Sequence, residues 1–221
     1  MTSRTTHLLS AGLLLIAAVA SVLTYNGLPD QVPTHWNAAG EIDGYSGKLT
    51  AVLIGPAGAA ATWLIMWLLP YISPKGFRTE GFQGTVHVIQ LVIMFFMTGI
   101  GGIIIAAGYG YEAAVERIVP VACGALFVVV GNYLGKTRKN FFIGIRTPWT
   151  LASDEVWMRT HRLGGYLFVI GGIAMMIIGL LELGHIPFMV AAIGAGLIPF
   201  AYSFVAYRQL EGFSNDAQDP E

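Results

Sequence analysis

Charged side chains are scarce: they make up 11% of the 221 residues, where a soluble domain carries about 25%. So few charges do not coat a globule of this size, so a soluble fold is excluded and a membrane solvent is implied, in line with a mean hydropathy of +0.64. Cysteine is nearly absent. The single Cys123 sits in an apolar run, which excludes an internal disulfide and leaves a small packing residue. No HExxH, no G-x-S-x-G and no paired metal motif occurs, so the familiar signatures of metalloproteases and serine hydrolases are missing. No repeat of 20–50 residues is visible. The net charge of −1 gives no bulk attraction to nucleic acid, and no direct nucleic-acid contact, cofactor or metal is expected.

What is present is long apolar stretches. Six of them, 7–26, 49–72, 84–107, 117–135, 164–182 and 186–207, have no Lys, Arg, Asp or Glu in their middles. Each is long enough to cross a hydrocarbon core of about 30 Å as a helix, the form that satisfies its own backbone in lipid. The expectation is an all-α, polytopic membrane bundle of six transmembrane helices. The last two spans form a tight hairpin around Gly184. A first part, 1–72, holds two spans and a polar loop at 28–48; a second, 73–221, holds four spans and a charged segment at 131–165, all in one membrane domain. With the N-terminus cytoplasmic, ten Lys and Arg residues fall inside and only Lys48 and Arg117 outside. By the positive-inside rule both termini are therefore cytoplasmic. Arg4 and the Ala18-Val19-Ala20 run have signal-peptide character, but the apolar run continues past them and an uncleaved helix is expected.

Within the spans, Gly55/Ala59, Gly102/Ala106 and Ala192/Gly196 are small-xxx-small pairs that suit close helix approach. Pro120 is placed in the first turn of its helix, where it does no harm, while Pro56 and Pro199 are candidate kinks. Trp67 suits an interfacial anchor and Trp63 suits packing. The acidic end SNDAQDPE reads as disordered.

The loop LPDQVPTHWNAAGEIDGYSGK at 28–48 is rich in turn residues, and Asp43-Gly44 is a candidate hairpin turn. As the one sizeable outer loop it is the natural place for an extracellular ligand. Its candidate contacts are Pro29, Asp30, Pro33, His35, Trp36, Asn37, Gly40 and Asp43. His35, Glu41 and Asp43 match no metal spacing, so hydrogen bonding within a compact loop is the better reading. Trp36 and Tyr45 suit either interfacial anchoring or ligand contact.

The segment GNYLGKTRKNFFIGIRTPWTLASDEVWMRTHRLGG at 131–165 holds six of the twelve Lys and Arg residues. Lys136, Arg138 and Lys139 follow span four and match the positive-inside signal with attraction to anionic lipid. Gly144 and Pro148 stop a regular helix from running through Asn140 to Thr150. That stretch either lies in the interface or folds back on the bundle, where Arg146 would pair with an acid, a phosphate or backbone carbonyls. Ser153 is a good N-cap, with Asp154 and Glu155 in the first turn. The helix it opens runs into span five, with Trp157 and His161 on one face and Glu155 and Arg159 paired. His161 lacks a metal motif and reads as a hydrogen-bonded structural residue.

Together these two loops resemble the SdpI immunity family. The 28–48 loop is similar to a short module of unknown function (DUF1648-like) often found in that family. The 131–165 segment is similar to its central signature, with Gly135 where many relatives carry Pro, and the 28–48 loop has Trp36 where they carry Phe. The resemblance implies a multipass protein of the bacterial cytoplasmic membrane. It also implies protection from a secreted peptide toxin and, as in the family's characterised member, recruitment of a cytoplasmic transcriptional repressor. It marks Asn132, Asn140, Gly144, Arg146, Thr147, Pro148, Trp149, Thr150, Trp157 and His161 as signature positions, without assigning them a chemistry. Lys136 and Arg162 join them as candidate partner contacts.

Three functions follow as expectations. The first is a non-enzymatic immunity and signalling protein, in contact with membrane lipids, whose outer loop senses a toxin and whose inner segment meets a regulator. The alternative is a small transporter or lipid-handling protein. The lack of ionisable groups in mid-span argues against ion coupling but leaves hydrophobic substrates open. A membrane enzyme using His161, with Arg146 and Arg162 on a phosphate and Asp154 or Glu155 as base, has the thinnest basis.

Overall fold

A computed structural model describes residues 2–37, 40–77, 79–111 and 115–212. Seven helices are described: α1 Ser3–Thr24, α2 Lys48–Ile72, α3 Gln83–Gly108, α4 Val115–Leu134, the short α5 Pro148–Ala152, α6 Asp154–Leu180 and α7 His185–Leu210. All but α5 are long and apolar enough to cross a membrane. These six match the expected spans, and the chain is a mostly helical polytopic bundle. As the Ser153 cap led one to expect, α6 begins ten residues before the apolar run does. Ser153 explains that start, because its hydroxyl accepts the Val156 amide and leaves Asp154 and Glu155 at the positive end of the dipole. Ser153→Ala is expected to destabilise the protein by about 0.5–2 kcal/mol, read as a lower melting midpoint in detergent.

α1 and α2 are joined by a two-stranded antiparallel sheet, β1 Gln31–Trp36 and β2 Ile42–Gly47. Asp43-Gly44 does not close it. Both residues lie within β2, where His35 faces Gly44 across an irregular register. The closure is at Asn37 and Gly40, whose φ of 82° suits a glycine. Asn37 accepts the Glu41 amide on its side chain and donates back to the Glu41 carboxylate. Ala38 and Ala39 lie outside the described residues, as do Arg78 of the orientation argument and the acidic end from Phe213 onward.

The hairpin is seated on the bundle. Leu28 and Val32 are buried with Ala51, Val52 and Ile104 from α2 and α3, and Tyr25 and Trp36 pack around them. This defines a hairpin end. At the opposite end, residues 135–153 form a lobe that meets Leu69, Phe82, Val86 and Ile89 through Ile143. Phe77 and Phe141 add a T-shaped ring contact there, with centroids 4.5 Å apart.

Glycine sets the closest helix contacts. A Cβ on Gly55 would lie 2.9 Å from the Gly101 Cα, so α2 and α3 touch through backbone. Ala59, its small partner, is buried. The other two expected pairs make no such approach, since Gly102 and Gly196 face open space. Between the antiparallel helices α4 and α6 the contact is longer: Gly172 meets Gly124, and Gly165 meets Gly131. Pro120 is not in a first turn as expected. α4 starts at Val115, so Pro120 falls inside the helix, where its ring meets Gly179 of α6. The α6–α7 turn is tight, with positive φ at Glu182 (53°) and Gly184 (86°). Trp63 donates to His7 of α1 at 3.3 Å, which makes it a packing residue, while Trp67 is exposed beside Tyr71.

Candidate functional site

The 135–153 lobe is held together by polar side chains that satisfy backbone groups, as an irregular segment at a membrane boundary requires. Asn140 is fully buried. Its Oδ1 accepts the amides of Phe142 and Ile143 at 2.8 and 2.7 Å. Its Nδ2 donates to the carbonyls of Arg138 and Ile143 at 2.8 and 2.9 Å. One side chain therefore folds the turn. Gly144 follows at φ 115°, pressed against the His161 ring, where a Cβ would overlap the imidazole.

His161 is 1% exposed. Its Nε2 accepts the Ile145 amide at 2.9 Å, which leaves Nδ1 to donate to the Trp157 carbonyl at 2.8 Å. Both nitrogens are occupied by a neutral imidazole with its proton on Nδ1. The ring also stacks on Trp157 at 3.9 Å. Trp157 in turn donates to the Thr137 carbonyl at 3.1 Å. The Trp157–His161 pair is thus a post that supports the lobe from α6.

Thr147 and Thr150 form a reciprocal capping box around α5, with Pro148 at the helix start, where its missing N–H costs nothing. Thr147 also meets Ser203 of α7 at 3.0 Å, and Trp149 packs on Phe200 and Phe204 of α7. Ser153 donates to the Glu211 carboxylate at 2.6 Å, and Lys139 pairs with Asp154 at 2.9 Å. The lobe is therefore tied to both α6 and α7. Sequence reasoning did not single out Thr137, Ser203 or Glu211 for this role. Ser203 and Glu211 lie 56 and 58 residues beyond their partners in the chain, so no local pattern pointed to them.

Of the expected contacts, the structure buries Asn140, Thr147, Thr150, Trp157 and His161 and half-buries Gly144 and Trp149. It exposes Asn132, Lys136, Arg146, Pro148 and Arg162. Arg146 uses one guanidinium nitrogen on the Phe141 carbonyl, and the rest of its fork faces outward. Asn132 donates to the Val128 carbonyl of its own helix. The Glu155–Arg159 pair forms at 2.6 Å.

On the hairpin, Pro33 is buried, and Trp36, Asn37 and Gly40 are half-buried. Pro29, Asp30, His35 and Asp43 are exposed. Asp30 pairs with Lys48 at 3.0 Å, and His35 Nδ1 meets the Asp43 carboxylate. No group of three or more metal-ligating side chains occurs among the described residues. The surface available to a ligand thus includes Pro29, Asp30, His35, Glu41, Asp43 and Tyr45, standing on a buried base.

These features define a polytopic helical membrane protein with a folded hairpin at one end and a hydrogen-bonded lobe at the other. Residues 136–203 match the SdpI/YfhL protein family, and residues 12–60 match a domain of unknown function, DUF1648. The chain is also similar to Immunity protein SdpI of Bacillus subtilis (strain 168), with 23% identity over 208 residues that span 93% of this chain and 98% of that protein. The resemblance read from the two loops therefore stands. With six membrane-length helices and that relative, the chain is a multi-pass protein of the bacterial plasma membrane. No solved structure matches it significantly.

Proposed function

We propose that this chain is an immunity protein that protects its cell from a secreted peptide toxin. The similarity to Immunity protein SdpI over almost the whole of both chains carries this reading. The charge bias supports a hairpin outside and a lobe inside, with both termini cytoplasmic. In this arrangement the rim of Pro29, Asp30, His35 and Asp43 meets the toxin. The outward cations of the lobe, Lys136, Arg146 and Arg162, meet an acidic surface on a cytoplasmic regulator. Signalling requires that toxin bind two packing states of the bundle with different affinity.

The test is a killing assay in a sensitive bacterium expressing the full chain at matched membrane levels. Wild type is expected to raise survival at least tenfold. His35→Ala with Asp43→Ala is expected to remove most of that protection without unfolding the hairpin, whose base is Val32 and Trp36. Arg146→Ala is expected to spare protection and abolish recruitment of a regulator to membranes. Unchanged killing with wild type, across several secreted membrane-active peptides, would sink the immunity reading.

A further inference from the structure

Positive charge is left over on the 135–153 lobe and the start of α6. Asp154 pairs with Lys139, Glu155 pairs with Arg159, and the Glu211 carboxylate accepts from Ser153. Lys136, Arg146 and Arg162 are exposed and, among the described residues, meet no carboxylate. These three cations are neighbours. Ile145 and His161 are joined at 2.9 Å, and Arg146 and Arg162 each follow one of them by a single residue. A Cβ on Gly135, the residue before Lys136, would lie 3.8 Å from the Arg162 Cα. Arg146 spends one nitrogen on the Phe141 carbonyl and keeps the rest of its planar fork, the shape that suits a carboxylate.

The chain delivers its own acids to this spot. α7 meets both flanks of α5, with Ser203 on Thr147 at 3.0 Å and Glu211 on Ser153 at 2.6 Å. Arg146 is the residue before that Thr147. Gly212 then closes α7 with φ 69°, which turns the chain off the helix axis. Residues 213–221, FSNDAQDPE, carry Asp216, Asp219 and Glu221 and no Lys or Arg. Reach decides whether these acids can meet Arg146. With α5 rising 1.5 Å per residue and the steps outside it at most 3.8 Å, the Arg146 Cα lies within about 18 Å of the Ser153 Cα. Fully extended, the chain from Glu211 to Asp219 spans up to about 26–29 Å.

We propose that the acidic segment 213–221 lies across the cationic face of the lobe, with Asp216 and Asp219 on Arg146, as an autoinhibitory strap that an acidic partner must displace. Exposed ion pairs are individually weak, but a short tether supplies an effective concentration on the order of mM. The strap therefore holds loosely, yields to a partner of higher affinity and weakens in salt. What it regulates rests on the reading of the lobe cations given above; the contact itself does not.

The experiment uses the full chain with Arg146→Lys, in phosphatidylcholine nanodiscs, treated with a carbodiimide that joins a lysine amine to a touching carboxylate. Mass spectrometry is expected to find an amide between position 146 and Asp216 or Asp219. Its yield should fall about tenfold in roughly 0.5 M salt, where the screening length drops below about 5 Å, and should survive replacement of the lipid by phosphatidylglycerol. A second measurement titrates a fluorescent hexaglutamate peptide. Asp216→Asn with Asp219→Asn and Glu221→Gln should bind it at least fivefold more tightly than wild type, and Arg146→Ala should weaken binding in both backgrounds. The proposal is overturned if position 146 forms no cross-link to the segment, or if the yield is indifferent to salt. It is overturned equally if phosphatidylglycerol abolishes the cross-link, which would make a lipid headgroup the occupant, or if the neutralised segment leaves hexaglutamate affinity unchanged. Failure of protection in the killing assay leaves these readouts untouched, so the two readings fail separately.

Discussion

Asn140→Leu is expected to lower stability by about 3–5 kcal/mol and to open the lobe between Thr137 and Thr150 to protease. The side chain is similar in volume but carries no hydrogen-bonding group. Four bonds are lost at once: two accepted from the Phe142 and Ile143 amides and two donated to the Arg138 and Ile143 carbonyls. A buried polar group left without a partner costs about 1–3 kcal/mol. The Ile143 groups and the Phe142 amide are the ones least able to find water, because Ile143 is buried against Leu69 and Phe82. Asn140→Asp is the informative companion. It keeps the oxygen that accepts both amides, loses the two N–H donors and places a charge at a site with no exposure, so it should be nearly as damaging. Arg146→Ala, six residues on and exposed, should change stability by less than about 1 kcal/mol. Melting in detergent together with limited proteolysis checks all three. An Asn140→Leu protein within about 0.5 kcal/mol of wild type would show that the lobe is not built on this side chain.

That prediction also shows which parts of the molecule were legible in the sequence. The six spans follow from composition alone, because a lipid solvent demands apolar side chains and internally satisfied backbone. Ser153 as a cap and the Glu155–Arg159 pair were legible because their partners lie within four residues. The turn at Asp43-Gly44 failed for the converse reason. The dipeptide is a strong local hairpin signal, but the register is set by seating Val32 on Val52 and Ile104, and this pushes Asp43-Gly44 into the strand. That His161 is a hydrogen-bonded structural residue was legible, but its partner at Ile145 and the Ser203 partner of Thr147 were not, because they lie far along the chain; Asn140, whose partners lie within three residues, was missed although its signal was local. Polar residues in this segment look alike whether they face a partner protein or hold the lobe together. The structure separates them, leaving Lys136, Arg146, Pro148 and Arg162 outward.

Gly172→Leu is expected to be among the most damaging single changes in a membrane-spanning helix, with a loss above about 3 kcal/mol and poor recovery from membranes. α6 carries Gly165, Gly172 and Gly179 at seven-residue spacing, which keeps them on one face of the helix. That face meets Gly131, Gly124 and Pro120 of the antiparallel α4. A Cβ on Gly172 would lie 2.6 Å from the Gly124 carbonyl oxygen, 2.8 Å from the Val128 nitrogen and 3.0 Å from the Phe127 Cβ. Two of these neighbours are backbone, which cannot rotate aside. Even Gly172→Ala forces the helices apart and should cost about 1–3 kcal/mol. Leu adds three more carbons to the same clash. The consequence reaches the lobe, because α6 carries Trp157 and His161, and α4 ends at the turn that presents Thr137 to Trp157. Separation of α4 from α6 therefore pulls the indole off its carbonyl and the imidazole off Ile145. Gly196→Leu on α7 is the control, since nothing lies within 4 Å of its added Cβ, and its effect should stay within about 0.5 kcal/mol. Denaturant unfolding in micelles, with protease sensitivity of the lobe as a second readout, distinguishes the cases. Equal stability of the Gly172→Leu and Gly196→Leu proteins would mean that α4 and α6 are not held at backbone contact.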